Sequence, residues 1–350
     1  MAYKISFCTV CMNRLDHLKQ TLPQNIEDNK KYGNVEFVVL NYNSQDEIDQ
    51  WMFSTMSEYL ESGILKYYKT TAPKCFLMSH SKNAVTKLAT GDIVCNVDAD
   101  NFIGRGFAAY INKAYQRNQN IYIAVEKGKT QKDCYGRICM LKSDFITLKG
   151  YDENMTGYGF EDFDLRNRLE LLGREVHYLS HSKFLKALTH DDNTRLKSES
   201  NANQIEKIYL RHINHAVTEL LYLYRDGGFY KGKIITNRLY NSESIENLFI
   251  QNRTFDYEYR LDEDVWETGR WQEENGAITL VREGKSNGKI QNSPNVSDLG
   301  FYQMIEDSQI KSLIMFFSQI NNRIRMKKNQ LEKKIVVNET SFGETILGEI

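Results

Sequence analysis

Gly91-Asp92-Ile93-Val94-Cys95-Asn96-Val97-Asp98-Ala99-Asp100-Asn101 decides how this chain is read. Its apolar middle, bounded by Gly-Asp before and by two acids after, has the length and composition of a buried strand that ends in an exposed acidic turn. Residues 79–90 just before it carry helical spacing, with Ser79 expected as the N-cap and Gly91 as the stop. Working outward, strands are expected at 5–11, 35–40 and 65–69, with helices at 16–27 and 46–62 between them. Downstream, strands at 121–126, 137–141 and 175–179 alternate with helices at 143–148 and 161–172, the last stopped by Gly173. Such alternation means an α/β fold: a Rossmann-like, mostly parallel sheet covered by helices on both faces. In open sheets of this kind ligands sit beyond the carboxyl ends of the strands, which is where residues 98–101 fall.

Around residues 194–203 the composition turns polar, which places a boundary between a first domain at 1–198 and a C-terminal α+β accessory module at 199–350. In the module, apolar residues from Ile205 to Tyr224 keep three-and-four spacing up to Gly227-Gly228, so a long amphipathic helix is expected there. Asn275-Gly276 inside residues 271–280 favours a tight hairpin, and residues 306–334 read as a further helix. These elements suit binding of a second ligand or self-association into a homo-oligomer. No internal repeat or low-complexity tract is visible.

The 350 residues are 41% hydrophobic and 26% charged with three prolines, which excludes collagen-like and Pro-rich chains. Forty-five basic against 46 acidic residues removes the net positive charge that non-specific nucleic-acid binding uses, so no nucleic-acid partner is expected. No run approaches the roughly 18 apolar residues of a membrane span, and Met1-Ala2-Tyr3-Lys4 leads straight into a strand, so a cytoplasmic protein is expected. The basic residues between Arg323 and Lys334 would allow peripheral contact with anionic lipid, although a solvated charged face is the plainer reading. The six cysteines read as free buried thiols. Cys8 and Cys11, three apart in a strand, point to opposite faces and cannot share a metal.

Three constellations carry potential chemistry. Asp98-x-Asp100 puts two carboxylates where a divalent cation could bridge them to phosphate, or else forms an ordinary Asx turn. Gly157-Tyr158-Gly159-Phe160-Glu161-Asp162-Phe163-Asp164 alternates glycines with aromatic rings ahead of acids at a helix start. The acids suit the helix dipole, and Asp164 with Arg168 reads as a surface i,i+4 pair worth a few tenths of a kcal/mol. His190 follows the last strand of the first domain, either as a structural histidine or as a metal ligand.

Together these pieces resemble a nucleotide-sugar glycosyltransferase of the GT-A fold, of the family 2 and β-1,4-galactosyltransferase type. Thr9-Val10-Cys11-Met12-Asn13-Arg14 is similar to the family's first strand and Asn-Arg turn, and Leu40-Asn41-Tyr42-Asn43-Ser44 to its second. Ser81-Lys82-Asn83 and Asp98-Ala99-Asp100 match the donor-holding helix and DxD motif, and Gly150-Tyr151-Asp152-Glu153 through Gly157-Tyr158-Gly159-Phe160-Glu161-Asp162 resembles the galactosyltransferase carboxy-terminal motif, which reads Gly-Trp-Gly-Gly-Glu-Asp in relatives. Lys82 stands where relatives carry Arg, Asn41 where many carry Asp, Phe160 where they carry Gly, and Ala187 where animal galactosyltransferases have a methionine ligand. The resemblance covers about residues 3–195. It implies a metal-dependent, inverting transferase with Mn²⁺ or Mg²⁺ held by Asp98, Asp100 and His190. Thr9, Asn13, Arg14, Asn41, Asn43, Lys82, Asn83, Asp98, Ala99 and Asp100 would bind the donor, and Asp162 would be the base. Glu161, with Tyr158 and Gly159, would bind sugar, the partners being a nucleotide-diphosphate sugar and a glycan or glycoconjugate acceptor. A non-catalytic sugar or nucleotide binder on the same scaffold and a nucleotidyltransferase are the competing readings; the latter should carry a Gly-rich phosphate loop, which the sequence lacks.

Overall fold

The computed structural model describes residues 2–126, 132–188, 203–214, 217–236, 259–261, 264–283, 290–292 and 300–348. They form two compact units, one of residues 1–200 with 321–350 and one of residues 201–320.

The first unit holds β1 (Ile5–Cys11), α1 (Leu15–Asn29), β2 (Val35–Tyr42), α2 (Ile48–Thr55), α3 (Ser57–Glu61), β3 (Leu65–Thr70), α4 (Met78–Leu88) and β4 (Ile93–Asn96). After β5 (Asn101–Phe102) come α5 (Phe107–Arg117), β6 (Ile121–Val125), β7 (Ile138–Leu141), α6 (Lys142–Thr147), α7 (Glu161–Leu171), β8 (Glu175–Leu179) and β9 (Lys186–Ala187). The central sheet runs β3-β2-β1-β4-β7-β6-β8. All its neighbours pair in parallel except that β7 runs antiparallel to β4 and β6. The apolar strands alternate between two cores, because successive side chains leave opposite faces. Phe7, Phe37, Phe107 and Cys11 fill one core, and Cys8, Val38, Tyr122 and Phe145 the other. Cys8 and Cys11 thus lie on opposite faces, as their spacing predicts.

The strand expectations hold to within about two residues, but two capping assignments do not. Helix α4 starts at Met78, so Ser79 lies inside it and caps nothing. Gly91 falls beyond the helix end, and a Cβ there would come within 2.4 Å of Ser6 Oγ. Close approach of two strands demands this glycine.

In the second unit, the helix expected over 205–224 is instead two antiparallel strands, β10 (Ile205–Asn214) and β11 (Val217–Tyr224). Leu220 to Tyr224 are buried on both faces of the sheet, and a strand covered on both sides loses the alternation that separates it from a helix. β12 (Gly228–Thr236), β13 (Tyr259–Leu261), β14 (Glu267–Glu274), β15 (Ala277–Glu283), β16 (Ile290–Asn292) and β17 (Tyr302–Gln303) complete an antiparallel sheet. The Asn275-Gly276 turn joins β14 to β15 as expected, with φ of 53° and 79°. The last helix, α8, is Asp307–Leu331. Residues from 321 onward belong to the first unit.

Candidate active site

β1 has β2 on one side and β4 on the other, so the carboxyl ends of β1 and β4 flank a topological switch point, the usual ligand crevice of an open sheet. Asn13 and Asn43 follow β1 and β2 with φ of 55° and 59°, left-handed values that short polar residues tolerate best. They tie the two loops together: Gln45 N–H donates to Asn13 Oδ1 at 2.7 Å, Asn13 N–H donates to Ser44 Oγ at 2.9 Å, and Asn43 Nδ2 donates to Pro73 O at 2.7 Å. Asn41 is buried, and its Nδ2 donates to Asp49 Oδ1 at 2.9 Å. Thr9 is buried near the end of β1, and Arg14 precedes the first turn of α1.

The acids beyond β4 are held from behind. Buried Arg137 donates through Nη2 to Asn101 Oδ1 at 2.8 Å, and Asn101 Nδ2 donates to Asp100 Oδ1 at 2.7 Å. Ala99 O accepts from Thr21 Oγ1 at 2.6 Å. Lys82, on α4, reaches across to the start of α7: its Nζ donates to Asp162 Oδ1 at 2.8 Å and to Glu161 Oε1 at 3.0 Å. Between these groups sits Gly136. A Cβ built there would lie 3.1 Å from Asp162 Oδ2, 3.2 Å from Asp98 Oδ2 and 3.7 Å from Lys82 Nζ. Asp98 and Asp162, 64 positions apart in sequence, therefore converge on one backbone point.

The electrostatics follow from this crowding. Burial pushes the Asp98 carboxyl up to about 6; Lys82 opposes the rise, while Asp100 and Asp162 add to it. Burial also raises the Glu161 carboxyl against the pull of Lys82, with Asp162 adding to the rise. Burial disfavours the charge on Lys82, yet Asp162 and Glu161 outweigh it and hold the ammonium well above its usual value. Lys82 thus faces the carboxylates of Asp162 and Glu161 directly, with Arg137 lowering the Asp98 carboxyl from further off. Hard carboxylate oxygens are the donor type that Mg²⁺ and Mn²⁺ prefer, so Asp98 and Asp100 fit such an ion in kind. Among the described residues no group of three His, Cys, Asp or Glu side chains is spaced to hold a metal. His190 lies outside the described residues.

Asn83 is buried and binds protein: its Oδ1 accepts from Tyr151 N–H at 2.7 Å, and its Nδ2 donates to Tyr151 O at 2.9 Å and Glu153 Oε1 at 2.8 Å. Tyr158 and Gly159 are partly exposed in the turn before α7, where Gly157, Gly159 and Phe160 all have positive φ and Asn322 Nδ2 donates to Gly159 O. Asp164 and Arg168 do pair, Nε to Oδ2 at 2.7 Å, but not on the surface: both side chains are 1% exposed. Asn329, far away in sequence, donates to Asp164 Oδ1 at 2.9 Å and to Asp152 Oδ2 at 3.0 Å, and Arg325 closes the group on Asp152 at 2.8 Å. The sequence gives no signal for Gly136, a single glycine before an arginine; Tyr151 lies inside the motif that resembles the galactosyltransferases but carries no role there, and its ring lies under Lys82 Nζ at 5.1 Å from its centroid.

Fold and site together describe an α/β domain with an acidic, lysine-bridged cluster at the carboxyl edge of its sheet, where the resemblance to GT-A glycosyltransferases would put the donor. A family model described as the N-terminal domain of galactosyltransferase matches residues 126–191. No curated protein matches the sequence. Among solved structures, a mannosyltransferase from Pyrobaculum calidifontis in complex with GDP-Man and Mn²⁺ is similar at 14% identity and TM-score 0.45, over 56% of this chain and 61% of that one. TarS 1-349 from S. aureus is similar at 15% identity and TM-score 0.44, over 53% and 60% of the two chains. Its complex with UDP-GlcNAc gives 14% and 0.45, over 54% and 59%. The chain thus spans about 60% of the length of these solved proteins.

Proposed function

We propose that the first unit transfers a sugar from a nucleotide-diphosphate sugar, of the UDP-Gal, UDP-GalNAc, UDP-Glc or UDP-GlcNAc class, to a hydroxyl of a glycan or glycoconjugate, inverting the anomeric centre. The observation that carries this reading is the convergence of Asp98, Asp162 and Lys82 around Gly136. Glycosyl transfer needs a group that handles the leaving diphosphate and a carboxylate that takes the acceptor proton, a few ångströms apart. Asp98 and Asp100 stand on the diphosphate side and Asp162 on the acceptor side. As the acceptor oxygen bonds to the anomeric carbon, the bond to the diphosphate oxygen breaks and the acceptor proton passes to Asp162.

Lys82 fixes Asp162 through Oδ1 and keeps a positive charge next to the region where the diphosphate would sit. A bound Mn²⁺ or Mg²⁺ would neutralise the charge that grows on that leaving group, held by Asp98 and Asp100 with His190 as the proposed third ligand. Asn13, Asn41, Asn43 and Arg14 at the ends of β1 and β2 would line the nucleoside side.

The occupation of Asp162 Oδ1 by Lys82 favours one alternative, a binder that holds the donor without turning it over. Screening nucleotide sugars for release of the nucleoside diphosphate, with Mn²⁺ or Mg²⁺ and with chelator, separates the two. Release that depends on metal supports the transferase. Donor binding with no release under any condition supports the binder.

A further inference from the structure

Two buried asparagines treat Asp98 and Asp100 alike. Asn96, 8% exposed, donates through Nδ2 to Asp98 Oδ1 at 3.3 Å and to Gly136 O at 3.1 Å. Asn101, 1% exposed, donates through Nδ2 to Asp100 Oδ1 at 2.7 Å and to Asp133 O at 2.9 Å. An amide nitrogen carries two hydrogens, so each asparagine gives one to an acid and one to a carbonyl of the short segment 133–136. The direction of both amides follows from their partners. Carboxylate and carbonyl oxygens only accept, so the NH₂ of Asn96 must face them; Arg137 only donates, so the oxygen of Asn101 must face Arg137 Nη2 and its NH₂ the acid. Segment 133–136 ends at Gly136, where Asp98 Oδ2 and Asp162 Oδ2 converge.

We infer that Asn96 and Asn101 are positioning residues for the proposed donor site: they lock Asp98 and Asp100 to segment 133–136 through Oδ1 and leave the negative charge of both acids to the cation of the donor diphosphate. The inference rests on the transferase reading and on the place of Asp98 and Asp100 in it. A neutral amide fixes a carboxylate without cancelling its charge, whereas a lysine or arginine would do both. The contrast lies within the same site, where Lys82 holds Asp162 by an ion pair. Without its asparagine, each acid would have to be ordered when the ligand arrives, and binding would weaken by that cost. Because both clips end on one backbone segment, they also keep the two acids in register with Gly136 and so with Asp162.

Asn96→Ser and Asn101→Ser test this, since a hydroxyl on so short a side chain cannot span from acid to carbonyl. Arg137 Nη2 keeps Phe102 O at 3.2 Å in the second variant. Asn29→Ser is the contrast: Asn29 is also 1% exposed, but its Nδ2 donates to Asn25 O at 3.0 Å and Gly104 O at 3.1 Å and its Oδ1 accepts from Ala108 N–H at 2.9 Å, all backbone groups. All three full-length variants lose buried hydrogen bonds and should melt about 2–8 °C lower than wild type. Binding separates them. With UDP present, and free Mn²⁺ followed by electron paramagnetic resonance, Mn²⁺ affinity should fall about 10–100-fold in Asn96→Ser and Asn101→Ser and stay within about twofold in Asn29→Ser. Wild-type Mn²⁺ affinity in the two site variants overturns the inference, and so does an equal loss in Asn29→Ser, which would mean general loosening of the fold. If wild type turns over a nucleotide sugar with Mn²⁺ and the two variants bind Mn²⁺ as it does, this inference alone fails. If wild type binds no Mn²⁺ with or without UDP, the metal role of Asp98 and Asp100 fails and the inference with it.

Discussion

Asp164→Asn should destabilise the first unit severely without touching the proposed chemistry. Asp164 and Arg168 form an ion pair with both side chains 1% exposed, and among the described residues no other carboxylate is bound to that guanidinium, which also donates to the carbonyls of Leu148 at 3.2 Å and Gly150 at 2.8 Å. Removing one partner of a buried pair leaves an uncompensated charge and costs about 3–5 kcal/mol. The amide oxygen can still accept from Arg168 or Asn329, which points to the lower end, about 3 kcal/mol. A unit of this size shifts its Tm by about 2–4 °C per kcal/mol, so thermal melting followed by circular dichroism should show a loss of about 6–12 °C. An exposed i,i+4 pair would lose no more than about 0.5 kcal/mol. A fall of only 1–2 °C would therefore refute the burial of this pair and its link to Asn329.

Asp152 is buried, and hydrogen bonds from Arg325, Asn329 and Asn154 overcome the effect of burial to hold its carboxyl at about 2. A depressed carboxyl contributes stability above its unfolded value near 3.9 and loses it as the pH falls towards the folded one, so wild type should lose Tm between about pH 4 and pH 2 more steeply than Asp152→Asn. If the two curves run parallel there, Asp152 is not paired. Gly136→Ala should fold but lose turnover by roughly tenfold or more, since its methyl would press on Asp98 and Asp162, and structural misplacement of such groups is costly; steady-state kinetics alongside a melting curve would reveal an unaffected enzyme if the convergence is wrong. Chelation should abolish turnover, with Mn²⁺ or Mg²⁺ restoring it, and Asp100→Ala should weaken nucleoside-diphosphate binding by calorimetry; full activity in excess chelator would remove Asp98 and Asp100 from any metal role.

Much of the first unit was legible because its signals are local. The apolar run ending in Asp98-Ala99-Asp100 and the glycines before Glu161-Asp162 mark strand and helix termini, and termini are where an α/β sheet gathers its ligands. What stayed hidden depends on distant partners. The spacing of Asp164 and Arg168 says that they touch, but not that Asn329 and Arg325, more than 150 positions later, come to enclose the group. No pattern in the acidic, low-hydropathy α7 announces that Glu161, Asp164, Arg166 and Arg168 are buried. Gly136 and Gly91 matter through what approaches them across the sheet, which only the fold reveals. In the second unit, Leu220 to Tyr224 read as a helix because burial on both sheet faces erases the two-residue period, and Gly227-Gly228 then looked like a helix stop when it opens β12.

The central claim is that Asp162 takes the acceptor proton, and Asp162→Asn tests it most directly. The amide preserves shape and can still accept from Lys82 at the Oδ1 position, but it cannot accept the acceptor's proton. With the nucleotide sugar that wild type turns over, and with metal present, kcat should fall by about 10²–10⁴ while donor affinity stays within several-fold of wild type. A variant that retains full turnover would contradict the assignment, and the inverting mechanism built on it would fall.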